Sequence, residues 1–469
     1  MFSMIASFLF FLFVFVAIGV YSVRFRKKET SDYLLAGRNV HPILVAFSAV
    51  ATNWSGFMFV GMIGASYAMG ISSSWILIGF VIGDYIVYNT AHEKIRNYSG
   101  KHDLHSLSGV VSKGSKKNYK VLRVLCGLIT IAFLGAYAAG QLTAGSKALH
   151  VLMGWNYNAG AIIGAVMVLM YCYAGGIRAS IWTDVAQSFV MMFAMFLLFI
   201  VSLVQIGGFA SFFETLAGID PNLLSMFPSD LKFGVVLFVL SMVFLGIGVL
   251  GQPHIMVRFM AIDDAKNIQV AKSYYFGWTI LFCILTVFVG MFARILLPIE
   301  AFDPELALPK LSLQIFPGAL VGVVLAGLFA GTMSTADSQI LSCSTALTQD
   351  LFPKWSKRYL LTKLSTMFVT LLVLLIALFG TKSVYNLILL SWTLLGVAFA
   401  PLVIVNILKQ KPSELLSILM IVLGIVALCL WRKLGYSAGV HEIMPGMLTA
   451  FGVFFVGKFF GMCRDKSMI

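Results

Sequence analysis

The sequence predicts an all-α polytopic membrane protein with thirteen transmembrane helices. Three observations carry that expectation: 60% of the 469 residues are hydrophobic and 11% charged, the mean hydropathy is +0.94, and apolar runs of bilayer-crossing length recur along the whole chain. Soluble classes are excluded. A formal net charge of +14 would suit nucleic acid, but cytoplasmic loops of membrane proteins collect Lys and Arg. No nucleic-acid partner is needed; the expected surroundings are a lipid bilayer.

Apolar runs fall at about 2-23, 43-69, 73-91, 121-149, 157-176, 182-206, 233-254, 274-297, 318-346, 361-380, 384-408, 414-431 and 442-461. The first has no basic residue before it and runs into Arg24, Arg26, Lys27 and Lys28, the reverse of a cleaved signal's charge order. It reads as a retained helix with its N-terminus outside. Loops after odd-numbered helices are then cytoplasmic. They carry Arg24 to Lys28 with Arg38, the Lys94 to Arg123 cluster, Arg178, Arg258 with Lys266 and Lys272, Lys354 to Lys363, and Lys409 with Lys411. With Lys458, Arg464 and Lys466, 26 of the 33 Lys and Arg lie inside, which fixes the orientation and places the C-terminus inside. The longest interruptions are His92 to Lys120 and Gly207 to Lys232. Phe212, Phe213, Leu216 and Leu223 in the latter predict an amphipathic surface helix.

The residues that break the apolar pattern point to function. Helix two is interrupted by Ala51-Thr52-Asn53-Trp54-Ser55-Gly56-Phe57, weak helix formers whose unwinding would free backbone carbonyls. Helix nine carries Gly331-Thr332-Met333-Ser334-Thr335-Ala336-Asp337-Ser338-Gln339, hydroxyls and a carboxylate where hydrocarbon is expected. Such clusters mark ion or solute pathways, and a hard cation between two helices can take carbonyls from one and hydroxyls from the other. The competing reading of Ser55 and Gly56 is close helix packing. Helix seven carries Gly246-Ile247-Gly248 and Gly251-Gln252-Pro253-His254. Helices two and seven open two consecutive groups of five, and an odd number of spans inverts the second group, the pattern of an inverted repeat with a midplane site.

The six cysteines are scattered singly, without a Cys-x-x-Cys pair, so neither a disulfide framework nor a zinc site is expected. His41, His92, His102, His105, His150, His254 and His441 fall at span ends or in loops, and no phosphate-cradling glycine loop appears. An enzyme is not expected.

The order and spacing of Ser31-Asp32-Tyr33-Leu34-Leu35-Ala36-Gly37-Arg38, Ser55-Gly56, Trp182-Thr183-Asp184, Gly251 through Ala261, Met333-Ser334-Thr335 and Glu442-Ile443-Met444-Pro445-Gly446 resemble the sodium:solute symporter family, most of all its bacterial sodium/proline symporters. The resemblance implies a leucine-transporter-type fold of inverted five-helix repeats within one transporter domain over 1-469: helix one at 2-23 peripheral, core repeats at about 43-206 and 233-408, and two C-terminal helices over 414-461. It implies a sodium site made of the carbonyls of Ala51, Trp54 and Gly331 and the hydroxyls of Ser334 and Thr335. It implies a substrate pocket lined by Ser55, Gly56, Phe57, Tyr137, Gln141, Leu245, Val249 and Pro253. Sodium is the expected coupling ion, and no cofactor is expected.

The chain departs from that family pattern at Asn53, where the proline symporters carry an aspartate, at Phe57, where they carry tryptophan, and at Leu245 and Val249, where they carry tryptophan and tyrosine. The last two make the helix-seven wall more apolar. Asp184 matches the position of the family's second cation or proton-linked carboxylate; its competing reading is N-capping or dipole pairing at the start of helix six. Asp337, one turn beyond Ser334, and Asp84, in helix three, are candidates to replace the charge missing at Asn53, and pairing with a neighbouring helix is the alternative for each.

The expected function is therefore sodium-coupled import of a small polar solute, an amino acid such as proline or a small carboxylate, by alternating access in a bacterial inner membrane. A monomer is expected. A proton-coupled transporter of the same fold and a non-transporting membrane sensor are the alternatives.

Overall fold

In a computed structural model, the structure describes residues 1–114, 118–297, 302–380 and 383–465, with Arg464 and Asp465 described by their backbone only. Lys116, Lys117, Lys382 and Lys466 of the charge count lie outside the described residues. Among the described residues the chain is almost wholly helical, with ten helices long and apolar enough to cross a membrane and shorter apolar helices at Pro42–Asn53, Phe209–Ile219 and Ile443–Phe459. Large apolar side chains such as Phe13, Phe193 and Phe368 stand on the outer surface, as lipid-facing residues do.

One helical run, Tyr157–Ile206, contains 50 residues. Unbroken, it would extend about 75 Å, far more than the roughly 30 Å of hydrocarbon it has to cross. Gly176 breaks it, with φ 60° and ψ −146°. A Cβ at that position would lie 2.4 Å from the Tyr33 carbonyl oxygen, so only glycine fits. The predicted spans 157-176 and 182-206 meet at this kink, but residues 177–181 are helical rather than a loop. Arg178, expected as a loop cation, pairs there with the buried carboxylate of Asp32 and donates to the Ala36 carbonyl at 3.0 Å.

Gly318–Thr345 is the axis of the molecule. Every residue from Val324 to Thr345 is buried, and the helix packs on Phe2–Ser22, Tyr157–Ile206 and Gly135–Met153. The Ser7 hydroxyl fastens the first helix to it through the Ala319 carbonyl at 2.8 Å. The predicted surface helix is present as Gly208–Ile219, with Phe212 and Leu216 buried and the Phe212 ring against Phe288 and Phe292.

A second anchor joins segments remote in sequence. Lys147, buried in the Gly135–Met153 helix, pairs with Asp303 at 2.8 Å and with Glu305. The Glu305 carboxylate in turn accepts from the backbone N–H groups of Val384 at 3.2 Å and Tyr385 at 2.8 Å, capping the Val384–Ile407 helix. The Glu414–Lys433 and Ile443–Phe459 helices pack on each other, and a short antiparallel pair, Gln410–Pro412 with Cys463–Asp465, joins the start of the first to the end of the second.

Gly176→Ala forces a side chain into a backbone region that essentially only glycine adopts, at about 1–3 kcal/mol, and onto the Tyr33 carbonyl. The expected outcome is a lower apparent Tm of the detergent-solubilised protein by differential scanning fluorimetry; an unchanged Tm would show that the kink is not required.

Candidate cation and substrate site

The site begins with a helix that stops in mid-core. Pro42–Asn53 ends where Trp54 leaves helical geometry at φ −92° and ψ 68°, and its last carbonyls lose their intrahelical partners. Trp54 N–H still reaches the Val50 carbonyl at 2.9 Å. Those of Ala51 and Thr52 are taken up by the axial helix: Ser334 Oγ donates to Ala51 O at 2.8 Å, and Thr335 Oγ1 lies 3.0 Å from Thr52 O and 3.5 Å from Ala51 O. Both hydroxyls also reach Gly331 O, at 3.2 and 3.1 Å. All five residues are buried.

Five oxygens from two helices are thus linked by hydroxyl–carbonyl distances of 2.8–3.5 Å. Ligands about 2.3–2.6 Å from a shared hard cation are themselves about 3.5 Å apart, close to the separations here. Hydroxyls that now donate can turn lone pairs to an ion. Four of the five residues assigned from sequence, Ala51, Gly331, Ser334 and Thr335, converge in this way. Trp54 stands at the break, its indole Nε1 bonded to Thr279 Oγ1 at 2.8 Å. Thr52 contributes a carbonyl that sequence reasoning did not assign; a main-chain oxygen carries no residue signature.

Beyond the break, Ser55 Oγ caps the second arm by accepting from Phe57 N–H at 3.1 Å. Gly56 N–H donates to Gln141 Oε1 at 3.1 Å, and Tyr137 is buried beside the same segment, its ring 5.6 Å from that of His254. A Cβ on Gly56 would sit 2.3 Å from Thr332 Cγ2, so the close approach to the axial helix needs glycine. The Phe57 ring lies 5.5 Å from Tyr385, beside the Glu305 anchor. Leu245 and Val249 are buried on the other broken helix, Gly234–Ile247 continued by Gly248–Gly251. Trp392 braces that break, donating from Nε1 to Leu245 O at 3.1 Å and accepting from Gln252 Nε2 at 2.9 Å. Pro253 opens the next helix, Pro253–Ala261, and lines a small polar cleft with Ser108, Thr130, Ser342 and Thr345.

Arg258 corrects the sequence reading. Counted as a loop cation, it is fully buried in the Pro253–Ala261 helix, with Nη2 3.2 Å from Asp184 Oδ2 and 3.9 Å from Asp337 Oδ1. It also donates to Ser180 Oγ at 2.8 Å, Ser48 Oγ at 3.3 Å, His254 O at 2.8 Å and Ser338 Oγ. Two carboxylates neutralise it, and this lets a charged residue so near a span end turn inward. Asp184 lies inside a helical arm, well past the kink, so N-capping is not its role; it accepts from Ser48 Oγ at 2.7 Å and Thr52 Oγ1 at 3.4 Å. Asp337 accepts from Ser180 Oγ at 2.9 Å and Ser338 Oγ at 2.7 Å. Asp184 Oδ1 and Asp337 Oδ2 are buried without a partner among the described residues. If both carboxylates ionise, the cluster carries one negative charge more than Arg258 cancels.

Asp84 lies apart from that cluster. It accepts from the Tyr275 hydroxyl at 2.6 Å, and Tyr275 accepts from Asn53 Nδ2. His254 and His92, read as span-end residues, are also fully buried, against Tyr137 and Tyr88.

The sequence pattern of the Sodium:solute symporter family matches residues 33–430. The chain belongs to the sodium:solute symporter family. Relatives within the family include the osmoregulated proline transporter OpuE of Bacillus subtilis (strain 168), 28% identical over 93% of this chain and 92% of that protein. The sodium/proline symporter of Escherichia coli (strain K12) is 28% identical over 95% and 90%. Among solved structures, a substrate-bound, outward-open Na+-coupled sialic acid symporter covers all of both chains with a TM-score of 0.83 at 19% identity. MhsT in complex with L-phenylalanine covers 89% of this chain and 98% of its own at a TM-score of 0.55 and 15% identity. These likenesses place this symporter-family chain in the fold of known transporters, and its relatives are transporters, not enzymes.

Arg258→Ala would strand two carboxylates in the core, a loss of roughly 3–5 kcal/mol where a buried charge is left without its partner. A large drop in apparent Tm of the purified variant is expected, and an unchanged melting curve would show that another group balances Asp184 and Asp337.

Proposed function

We propose that this protein is a sodium-coupled symporter that imports a small polar solute, an amino acid such as proline or a small carboxylate, by alternating access in a bacterial inner membrane. The observation that carries this reading is the meeting of the Ser334 and Thr335 hydroxyls with the Ala51 and Thr52 carbonyls at 2.8–3.5 Å. Sodium would be held by carbonyls of Ala51, Trp54 and Gly331, joined by Thr52, and by hydroxyls of Ser334 and Thr335. The solute would lie on Ser55, Gly56, Phe57, Tyr137 and Gln141, facing Leu245, Val249 and Pro253. The proline transport named for the relatives favours an imino or amino acid, while the aliphatic pair at Leu245 and Val249 gives this pocket a different wall.

The same reading counts thirteen crossings, treating Tyr157–Ile206 as two spans and each broken helix as one, in inverted groups at about 43-206 and 233-408. The N-terminus is outside and the C-terminus inside. One sodium ion moving with a zwitterion gains about 2.3 kcal/mol from 100 mV and about 1.4 kcal/mol from a tenfold gradient, enough for roughly several-hundred-fold accumulation. Ion binding would tie the broken helix to the axial helix and order the Ser55-Gly56 backbone for solute, so each ligand raises the affinity of the other by the same factor.

Proton coupling is the second reading, favoured by the excess of Asp184 and Asp337 over Arg258. Asp84 and Asn53 are the other candidates for such a site.

Uptake of radiolabelled proline, other amino acids and monocarboxylates into proteoliposomes, with and without an inward sodium gradient, tests both. Sodium-dependent uptake is expected, with Thr335→Ala raising the half-saturating sodium concentration roughly tenfold, or about 1.4 kcal/mol, while maximal uptake at saturating sodium stays near the parent's. A variant with the parent's sodium response would remove Thr335 from the site; uptake that follows pH and ignores sodium would select proton coupling.

A further inference from the structure

Asp84 is 1% exposed on the Ser74–Thr90 helix, and among the described residues no cation lies within ion-pair distance of it. Its own helix offers the Tyr88 hydroxyl, buried without a hydrogen-bond partner among the described residues, and the Ile268–Leu296 helix offers Tyr275. Lys272 on that helix turns away to Asn89 at 2.8 Å and to the Tyr85 ring. His92 stacks on Tyr88 with its Nδ1 at the Val87 carbonyl. The Gly234–Ile247 helix packed alongside carries no titratable residue. An ionised carboxylate so placed has a hydroxyl donor but no countercharge, and burial disfavours it; a proton removes the charge, and a cation nearby offsets it.

The route to such a cation runs through hydroxyl and amide. Asn53 Nδ2 donates to Tyr275, and Tyr275 donates to Asp84, the order that an ionised Asp84 requires. A protonated Asp84 donates instead to the Tyr275 oxygen. The phenol hydrogen then points back at Asn53, whose Oδ1, buried and without a partner in the present arrangement, accepts it once the amide turns. Asn53 is the residue after Thr52, whose carbonyl takes the Thr335 hydroxyl at 3.0 Å. The proton therefore acts at the edge of the cation cradle.

We propose that Asp84 is an exchangeable proton site, connected through Tyr275 and Asn53 to the Ala51–Thr52 cradle, so that its proton and a sodium ion oppose each other's binding. This rests on the sodium reading of the cradle. Sodium arriving there favours the carboxylate, the proton leaves for bulk water, and by reciprocity acid weakens sodium binding.

The purified full-length chain in weakly buffered detergent tests this, with radiosodium binding and a pH-indicator dye read together. On adding sodium chloride, but not choline chloride, the parent is expected to release protons, and its sodium dissociation constant to rise by about threefold or more as the medium is acidified across the carboxylate-to-histidine range. Asp84→Asn should abolish the release and flatten the pH dependence. Tyr275→Phe, which keeps the carboxylate and serves if Asp84→Asn does not fold, should flatten it as well. Sodium binding without proton release overturns the inference alone, as does release that survives Asp84→Asn. A parent that binds no sodium overturns the cradle and this inference together.

Discussion

Two hydroxyls complete a helix that they do not belong to. Where Pro42–Asn53 stops, its terminal carbonyls would be stranded in a dry interior, at a cost comparable to a lost hydrogen bond for each. Ser334 and Thr335 of the axial helix supply the missing donors. The break is therefore stabilised while the two helices stay together, and an ion that took lone pairs from the same hydroxyls and carbonyls would strengthen the same junction. Fold and chemistry share one set of contacts.

Around that junction the molecule is arranged by how much each helix can give up to lipid. The axial helix is polar at its centre and buried on all sides. The Phe2–Ser22 helix, apolar almost throughout, buries one stripe and shows the rest to the bilayer. Buried charge follows the same economy. Arg258 lies among the broken and axial helices because Asp184, Asp337 and four hydroxyl or carbonyl oxygens share its proton-rich fork.

The elements bearing chemistry were legible in the sequence where composition itself was anomalous. Thr52-Asn53-Trp54-Ser55-Gly56 and Ser334-Thr335 are conspicuous against hydrocarbon, and the structure brings them into contact. Gly176 was legible as a span end but not as a kink within a continuous helical run, because residues 177–181 look equally suited to loop or helix. Arg258 was misplaced for a physical reason: a cation near a span end follows the rule for cytoplasmic loops, and only the partners contributed by other helices turn it inward. The contact of Asp84 with Tyr275 spans 191 positions, and Lys147 meets Glu305 across 158. No periodicity encodes either.

Glu305 performs two tasks with one carboxylate, anchoring the Lys147 ammonium and closing the start of the Val384–Ile407 helix. Any motion that lifts the 303–306 turn from the Val384–Ile407 helix forfeits the caps on Val384 and Tyr385, whereas Lys147 keeps Asp303 and Glu305 only if its own helix travels with the turn. One carboxylate thereby makes the position of the 303–306 turn answer to two helices at once.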